Sequence, residues 1–375
     1  MKRIVVIFLL LALLPLRSFA LEPEGKSALL MEASTGTVLF ERDADEPLAP
    51  ASVTKVMTML LIMEAVDSGA VRWEDTVTVS AAAAAKGGSQ VYLKEGETMS
   101  VREMLKSIAV SSANDCACAM AEHIAGSEEA FTERMNARAK ELGMENTHFV
   151  NCTGLDDGPE ASEHKTTARD IAIMSRELLT KHPSIKEFTT IWMDTIRDGA
   201  FGLSNTNKLV RFYPGATGLK TGFTASAMYC LSATAERDGM ELIAVVMGAP
   251  SSAARFSACK QLLDYGFANF AVYTPELPEG TAVPVRLGKA ASVRAALSAA
   301  PVLVEKARLA SLRCETELEE ELPAPVTQGQ TVGTLRVFAG EELLAELPLT
   351  AADPVEKLTW GDVFLDLLRK VAFSK

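Results

Sequence analysis

Pro50-Ala51-Ser52-Val53-Thr54-Lys55-Val56-Met57 is the stretch on which the fold of this 375-residue chain turns. Ser-x-x-Lys recurs at 162–165 and 257–260, about as often as chance allows for two common residues, so the spacing alone decides nothing. Context separates the copies. Ser52 follows Pro50-Ala51 and opens the run Val53, Val56, Met57, Leu60, Leu61, whose i, i+3, i+4 spacing predicts an amphipathic helix with its apolar face turned inward. Two further strings, Ser112-Ala113-Asn114 and Lys220-Thr221-Gly222, each occur once, and both lie downstream of Ser52.

The spacing of Ser52 and Lys55 has a chemical use. Residues i and i+3 share a helix face about one turn apart, so the hydroxyl and the amine come within hydrogen-bond reach. A serine is a weak nucleophile until a neighbour takes its proton. Lysine can be that neighbour once desolvation and nearby positive charge favour the neutral amine, and Lys220 is the candidate source of that charge. A helix start also directs unpaired N–H groups toward the nucleophile, so the Ser52 N–H can stabilise an oxyanion. The N–H of Phe223, directly after Lys-Thr-Gly, is the candidate second donor.

Lys-Thr-Gly by itself fits a turn between surface strands equally well. Its surroundings favour a strand: Tyr213-Pro214-Gly215-Ala216-Thr217-Gly218 is turn-forming text, whereas 228–233 and 242–247 read as buried strands. Lys220 would then begin an edge strand beside Ser52, offering backbone groups to an extended peptide and a cation plus a hydroxyl to a terminal carboxylate. Ser112 and Asn114 would form the opposite wall, although both also suit an ordinary helix cap before the apolar run 116–120.

With these motifs the chain resembles the low-molecular-mass penicillin-binding proteins that are serine D-alanyl-D-alanine carboxypeptidases, peptidase family S11. The likeness extends to Met135-Asn136, Leu142-Gly143-Met144, Gly154-Leu155-Asp156, Thr166-Thr167-Ala168-Arg169-Asp170 and Asn207-Lys208-Leu209. It implies Ser52 as acylated nucleophile and Lys55 as general base. Ser112 would relay protons to the leaving group and Asn114 hold the substrate amide. Lys220, Thr221 and Gly222 with Phe223 would bind substrate, the first two its terminal carboxylate. Phe223 stands where the family often has His or Tyr, and 156–165 is longer than usual, so the loop bordering the site is expected to differ in shape. The resemblance implies an α/β (α+β) domain of the penicillin-binding and serine β-lactamase type, penicillin as a covalent inhibitor, and no cofactor.

Lys2 and Arg3, the apolar stretch 4–16 and Ser18-Phe19-Ala20 read as a secretory signal peptide, residues 1–20, cleaved after Ala20. An uncleaved anchor is the rival, but 13 mostly apolar residues fall short of the ~20 that span a bilayer. Export suits a substrate outside the cytoplasmic membrane. A net charge of −12 argues against nucleic acid as a partner, since phosphate backbones need basic surfaces.

Six cysteines in an exported chain raise the question of disulfides. A chain this long buries a core without staples. Cys116 and Cys118 diverge on a predicted helix and cannot pair together, and five of the six sit in apolar text as small buried hydrophobes would. The four histidines, His123, His148, His164 and His182, are scattered and match no metal-binding spacing, and no Gly-x-Ser-x-Gly elbow occurs.

Composition changes after Tyr273. The catalytic domain is expected over 21–272. A small all-β domain, 273–352, follows, with strands at 282–287, 302–305, 307–312, 334–338 and 342–347, and Leu318-Glu319-Glu320-Glu321-Leu322 as a solvated turn or strand edge. In the last segment, 353–375, Trp360, Val363, Phe364, Leu367, Leu368 and Val371 share one helical arc, with Asp362, Asp366, Arg369 and Lys370 on the other. That pattern suits either a helix docked on its own domain or one lying in the outer face of the cytoplasmic membrane; the resemblance favours the membrane.

The expected function is removal of the terminal D-alanine from peptidoglycan stem peptides. A β-lactamase shares the three motifs, but the chain has no Glu-x-x-Leu-Asn string to supply a deacylating carboxylate. A catalytically silent wall-binding protein would not need Ser52, Lys55, Asn114 and Lys220 together.

Overall fold

The computed structural model describes residues 21–156, 158–298 and 301–373; the expected signal peptide lies outside them. A hairpin of β1 (Ser27–Glu32) and β2 (Val38–Arg42) is the first structure among the described residues. Two short ribbons follow, β3 (Thr76–Thr78) with β4 (Thr98–Ser100), and β5 (Met193–Ile196) with β6 (Phe201–Ser204). Three long strands, β7 (Ala216–Thr224), β8 (Met228–Arg237) and β9 (Met240–Ala249), then complete an antiparallel sheet in the order β2-β1-β9-β8-β7. β7 and β2 are its two edge strands.

Period-two side-chain alternation sorts the central strands onto two cores. Leu29, Met31, Ile243, Val245 and Met247 face a thick helical layer. Ala28, Leu30, Leu242, Ala244 and Val246 face the long helix Ser252–Asn269, in a core that also takes Leu209 of the short helix Leu209–Phe212. Strands buried on both faces explain why their sequence is continuously apolar rather than alternating.

The helix after Ser52 departs from expectation. It runs Lys55–Asp67, and every residue from Lys55 to Met63 is buried, so it has no solvated face over that length. The helices Val101–Ser111, Asn114–Ala125 and Ala168–Lys181 surround it. A helix enclosed by neighbours is apolar all round, and the periodic subset picked out above was part of a continuous run. Ser52 itself belongs to a 3₁₀ turn, Ala51–Thr54, that leads into this helix. The turn expected over 213–218 is shorter, because β7 already begins at Ala216.

After the helix Ser252–Asn269 the chain turns to β structure. β10 (Phe270–Tyr273) pairs with β13 (Val302–Glu305). A six-stranded sheet, ordered β14-β16-β17-β12-β11-β15, comprises β11 (Ala282–Arg286), β12 (Ser292–Leu297), β14 (Leu312–Leu318), β15 (Leu322–Pro323), β16 (Thr331–Ala339) and β17 (Glu342–Ala351). Sequence reading missed the short strands β10 and β15 as well as β12 and β14, which are short of Val and Ile, and it placed a strand at 307–312 where a 3₁₀ helix, Lys306–Ser311, stands. Glu319, Glu320 and Glu321 form the exposed turn between β14 and β15. A helix, Trp360–Phe373, ends the described chain.

Candidate active site

The turn carrying Ser52 is pressed between two backbones. On one side a Cβ at Gly222 of β7 would lie 2.5 Å from the Pro50 carbonyl oxygen and 3.1 Å from the Val53 nitrogen. On the other, a Cβ at Gly154 would lie 1.9 Å from the Ala51 carbonyl oxygen, and Gly154 has φ +80°. Only residues without a side chain allow this approach. Ala51, immediately before Ser52, has φ +48°, a left-handed conformation that costs a residue with a Cβ about 1–2 kcal/mol. The Thr54 hydroxyl donates to the Ala51 carbonyl at 2.8 Å and holds it there.

Lys55 is the first residue of the central helix and is fully buried. Its Nζ lies 3.0 Å from Ser52 Oγ and donates to the Thr153 carbonyl at 2.7 Å. Asn151 Oδ1 accepts from the amides of Thr153 and Gly154, and so organises the turn that presents this carbonyl. Thr58, one helical turn beyond Lys55, fixes the preceding carbonyl, that of Cys152, at 2.6 Å. Burial pushes the Lys55 amine down to about 7, and the thiol of Cys152 and the carboxylate of Asp115 oppose that only in part. Of the two causes expected above, desolvation and the charge of Lys220, desolvation is therefore the leading one.

Lys220 is buried on β7, and its Nζ donates to the Thr221 carbonyl at 2.8 Å. Burial holds its amine well below the ordinary lysine range, with the charges of Lys55 and Arg255 acting in the same direction. Among the described residues neither lysine forms an ion pair. Both gain from an incoming anion, since a carboxylate would favour the ammonium form.

Ser112 and Asn114 occupy the junction of two helices rather than capping one with their side chains. Ser112, φ +63°, terminates Val101–Ser111, and Asn114 begins Asn114–Ala125. Asn114 Nδ2 donates to the Gly87 carbonyl at 2.7 Å, and its backbone N–H to that of Ser89 at 2.7 Å. The Ser112 Oγ and Asn114 Oδ1 atoms are buried without a hydrogen-bond partner among the described residues. Buried polar atoms are ordinarily paired, so these two make the junction a candidate place for a ligand; Ser27 Oγ and Arg255 Nε are the other such atoms among the described residues.

Contacts close a ring around this place. Gly222 abuts the Ser52 turn. Thr221 Oγ1 donates to Thr206 Oγ1 at 2.7 Å, and the Thr206 N–H reaches the Val110 carbonyl, two residues before Ser112. From Asn114 the path runs through Gly88 to Leu155, then through the adjacent Gly154 back to Ala51. All three sequence motifs lie on one circuit. Phe223 lies at its rim, 54% exposed, with its ring 4.4 Å from that of Tyr229 across the strand pair.

The sequence matches the profile described as D-alanyl-D-alanine carboxypeptidase, peptidase S11, over residues 17–251, more than half its length. The chain belongs to this family. Residues 276–357 match a second profile, the penicillin-binding protein 5 C-terminal domain. This serine carboxypeptidase is 42% identical to the D-alanyl-D-alanine carboxypeptidase DacF of Bacillus subtilis (strain 168), over 91% of this chain and 88% of that one. It is similar to the crystal structure of penicillin binding protein 5 from Haemophilus influenzae, with a TM-score of 0.78 and 29% identity over 90% of this chain and 98% of that one. Penicillin-Binding Protein D2 of Listeria monocytogenes, solved in an ampicillin-bound form, has a TM-score of 0.59 and 34% identity over 65% of this chain and 97% of that one.

Several residues of the carboxypeptidase site carry no signal in sequence. Thr153 acts through its carbonyl, which any residue would supply. Arg255, from the helix behind the sheet, donates through Nη1 to the carbonyls of Gly222 at 2.7 Å and Cys230 at 3.2 Å, bracing β7; one arginine in an otherwise mixed helix is invisible until the fold aims it. Five cysteines, including Cys116 and Cys118, are buried as expected, and Cys314 is exposed.

Proposed function

We propose that this protein is an exported carboxypeptidase that removes the terminal D-alanine from peptidoglycan pentapeptide stems through an acyl-enzyme on Ser52, in cell-wall synthesis and remodelling. One observation carries the reading: a buried lysine amine, held near neutrality, 3.0 Å from a serine hydroxyl. Neutral Lys55 takes the Ser52 proton as Oγ attacks the carbonyl carbon of the penultimate D-alanine. The N–H groups of Ser52 and Phe223 receive the oxyanion. The proton passes through Ser112 to the departing amine, D-alanine leaves, and water then cleaves the ester. Asn114 holds the substrate amide, and Lys220 with Thr221 binds the terminal carboxylate.

The catalytic unit is assigned to 21–272 and the β unit, a spacer, to 273–352. The segment 353–375 is assigned to peripheral attachment at the outer face of the cytoplasmic membrane. The exposure of Trp360, Phe364, Leu365, Leu367 and Leu368 supports attachment over docking on the protein. Among the described residues no helix is long and apolar enough to cross a membrane.

A β-lactam resembles an acylated D-Ala-D-Ala end whose leaving group stays tethered, so the ester should persist. Intact-protein mass spectrometry after brief exposure to penicillin should show one adduct, mapping to Ser52 and absent from Ser52→Ala, and the same preparation should release D-alanine from a diacyl-Lys-D-Ala-D-Ala peptide. Rapid penicillin turnover without an adduct would indicate a β-lactamase instead. Neither adduct nor D-alanine would indicate a silent homologue.

A further inference from the structure

The peptide group joining Ala51 to Ser52 has two ends with different tasks. Its N–H belongs to Ser52 and is the donor assigned above to the oxyanion. Its C=O belongs to Ala51, and a peptide unit is planar, so whatever fixes the carbonyl also aims the N–H. The Ala51 carbonyl accepts from Thr54 Oγ1 at 2.8 Å.

That hydroxyl does not act alone. Thr54 Oγ1 lies 2.8 Å from His164 Nε2, and His164 Nδ1 accepts the N–H of Val150 at 3.2 Å. The directions follow from counting hydrogens. A ring nitrogen that receives an N–H carries no proton, so the hydrogen of the neutral imidazole is on Nε2. Thr54 has one hydroxyl hydrogen, directed to Ala51, so it must accept from His164. The order is Val150 N–H to His164, His164 to Thr54, Thr54 to the Ala51 carbonyl. Both side chains are buried, His164 at 4% and Thr54 at 0% exposure. Burial, with smaller contributions from His148 and Lys55, pushes the imidazole down to about 4, so it remains in the neutral form this order requires. An amide that accepts such a bond is also polarised toward a stronger N–H donor.

We propose that His164 is a positioning residue for acylation: acting through Thr54, it holds the left-handed Ala51 peptide so that the Ser52 N–H and hydroxyl point into the site. The proposal rests on Ser52 being the nucleophile. It also gives 156–165 a task, since the end of that loop is tied to the nucleophile turn.

The test measures penicillin acylation in the full chain, separating the acylation rate constant from the dissociation constant of the prior non-covalent complex, with melting temperature recorded for each variant. His164→Leu removes both hydrogen bonds, and Thr54→Val removes the hydroxyl at equal size. Each should slow acylation about 10-fold or more while leaving non-covalent binding within about 3-fold. The double variant should be no slower than the slower single one, because both break one relay. His164→Gln, whose amide offers an acceptor and a donor about as far apart as the ring nitrogens, should recover most of the rate. Thr54→Val carries the test if His164→Leu does not fold. Unchanged acylation in folded Thr54→Val, multiplying effects in the double variant, or a Gln variant as slow as Leu would each overturn the proposal. Absence of a Ser52 adduct in the unsubstituted protein would overturn the nucleophile assignment instead.

Discussion

Lys55 Nζ donates to the carbonyl oxygen of Thr153 at 2.7 Å, a residue 98 positions away, while lying 3.0 Å from Ser52 Oγ. The amine thus retains one acceptor whichever protonation state it adopts. As an ammonium it donates to both oxygens; as an amine it can keep the bond to Thr153 and turn its lone pair toward the serine proton.

Acylation should depend on pH accordingly. Lys55 is lowered from 10.5 to about 7, so the competent neutral form is lost as pH falls below that value. The rate constant for penicillin acylation should fall about 10-fold per pH unit well below pH 7 and level off above it. Lys55→Arg, which cannot deprotonate, should be inactive across the range. A flat profile between about pH 5 and 8 would remove Lys55 as the base.

Lys220 has a different assignment and a different signature. Lys220→Ala should lower kcat/KM for an acid-terminated peptide by about 100-fold, and far less for its amide-terminated analogue, because a charge-assisted bond to carboxylate is lost. Equal losses on both substrates would show that the residue acts on the general architecture of the site.

Gly222 offers a steric test. A methyl there meets the Pro50 carbonyl at 2.5 Å, and neither partner is a flexible side-chain end, so the Ser52 turn and β7 must separate. Gly222→Ala should slow acylation about 100-fold or more in a protein that remains folded, since small misplacements of reacting groups are costly. Circular dichroism and penicillin labelling on one sample distinguish this from unfolding.

The tail can be removed cleanly only after Thr359. Val355 is buried and bridges Val326, and the Leu358 N–H bonds the Leu287 carbonyl, so an earlier cut would open the β core. Deleting 360–375 should leave peptidase activity within about 2-fold and move the protein from anionic liposomes into the supernatant. If the shortened protein still floats with vesicles, the helix is not the attachment.

Much of the site was legible before the structure because its chemistry needs rare local strings. Ser52 with Lys55, and Lys220 with Thr221 and Gly222, are each fixed by spacing along one turn or one strand, and local geometry converts such spacing directly into proximity. Two apolar runs became β8 and β9, and the strand expected at Lys220 is part of β7, whereas β1 and β2, the other two strands of the sheet, came only from the structure. The enclosed helix Lys55–Asp67 was misjudged in its environment because periodicity reports one apolar face and is silent about what covers the others.

What the sequence by itself determined is therefore the three motif strings and the apolar strands β8 and β9 beside the one that carries Lys220. Tertiary structure alone decided their electrostatics and their aim. The lowering of the Lys55 amine to about 7 is a product of burial by residues distant in sequence, and desolvation has no local signature. The Thr153 carbonyl, the Gly222 and Gly154 backbones and the path from His164 to Ala51 act through main-chain atoms or through a lone side chain whose partners lie far along the sequence. Every residue has those main-chain atoms, so only the fold determines which of them reach Ser52.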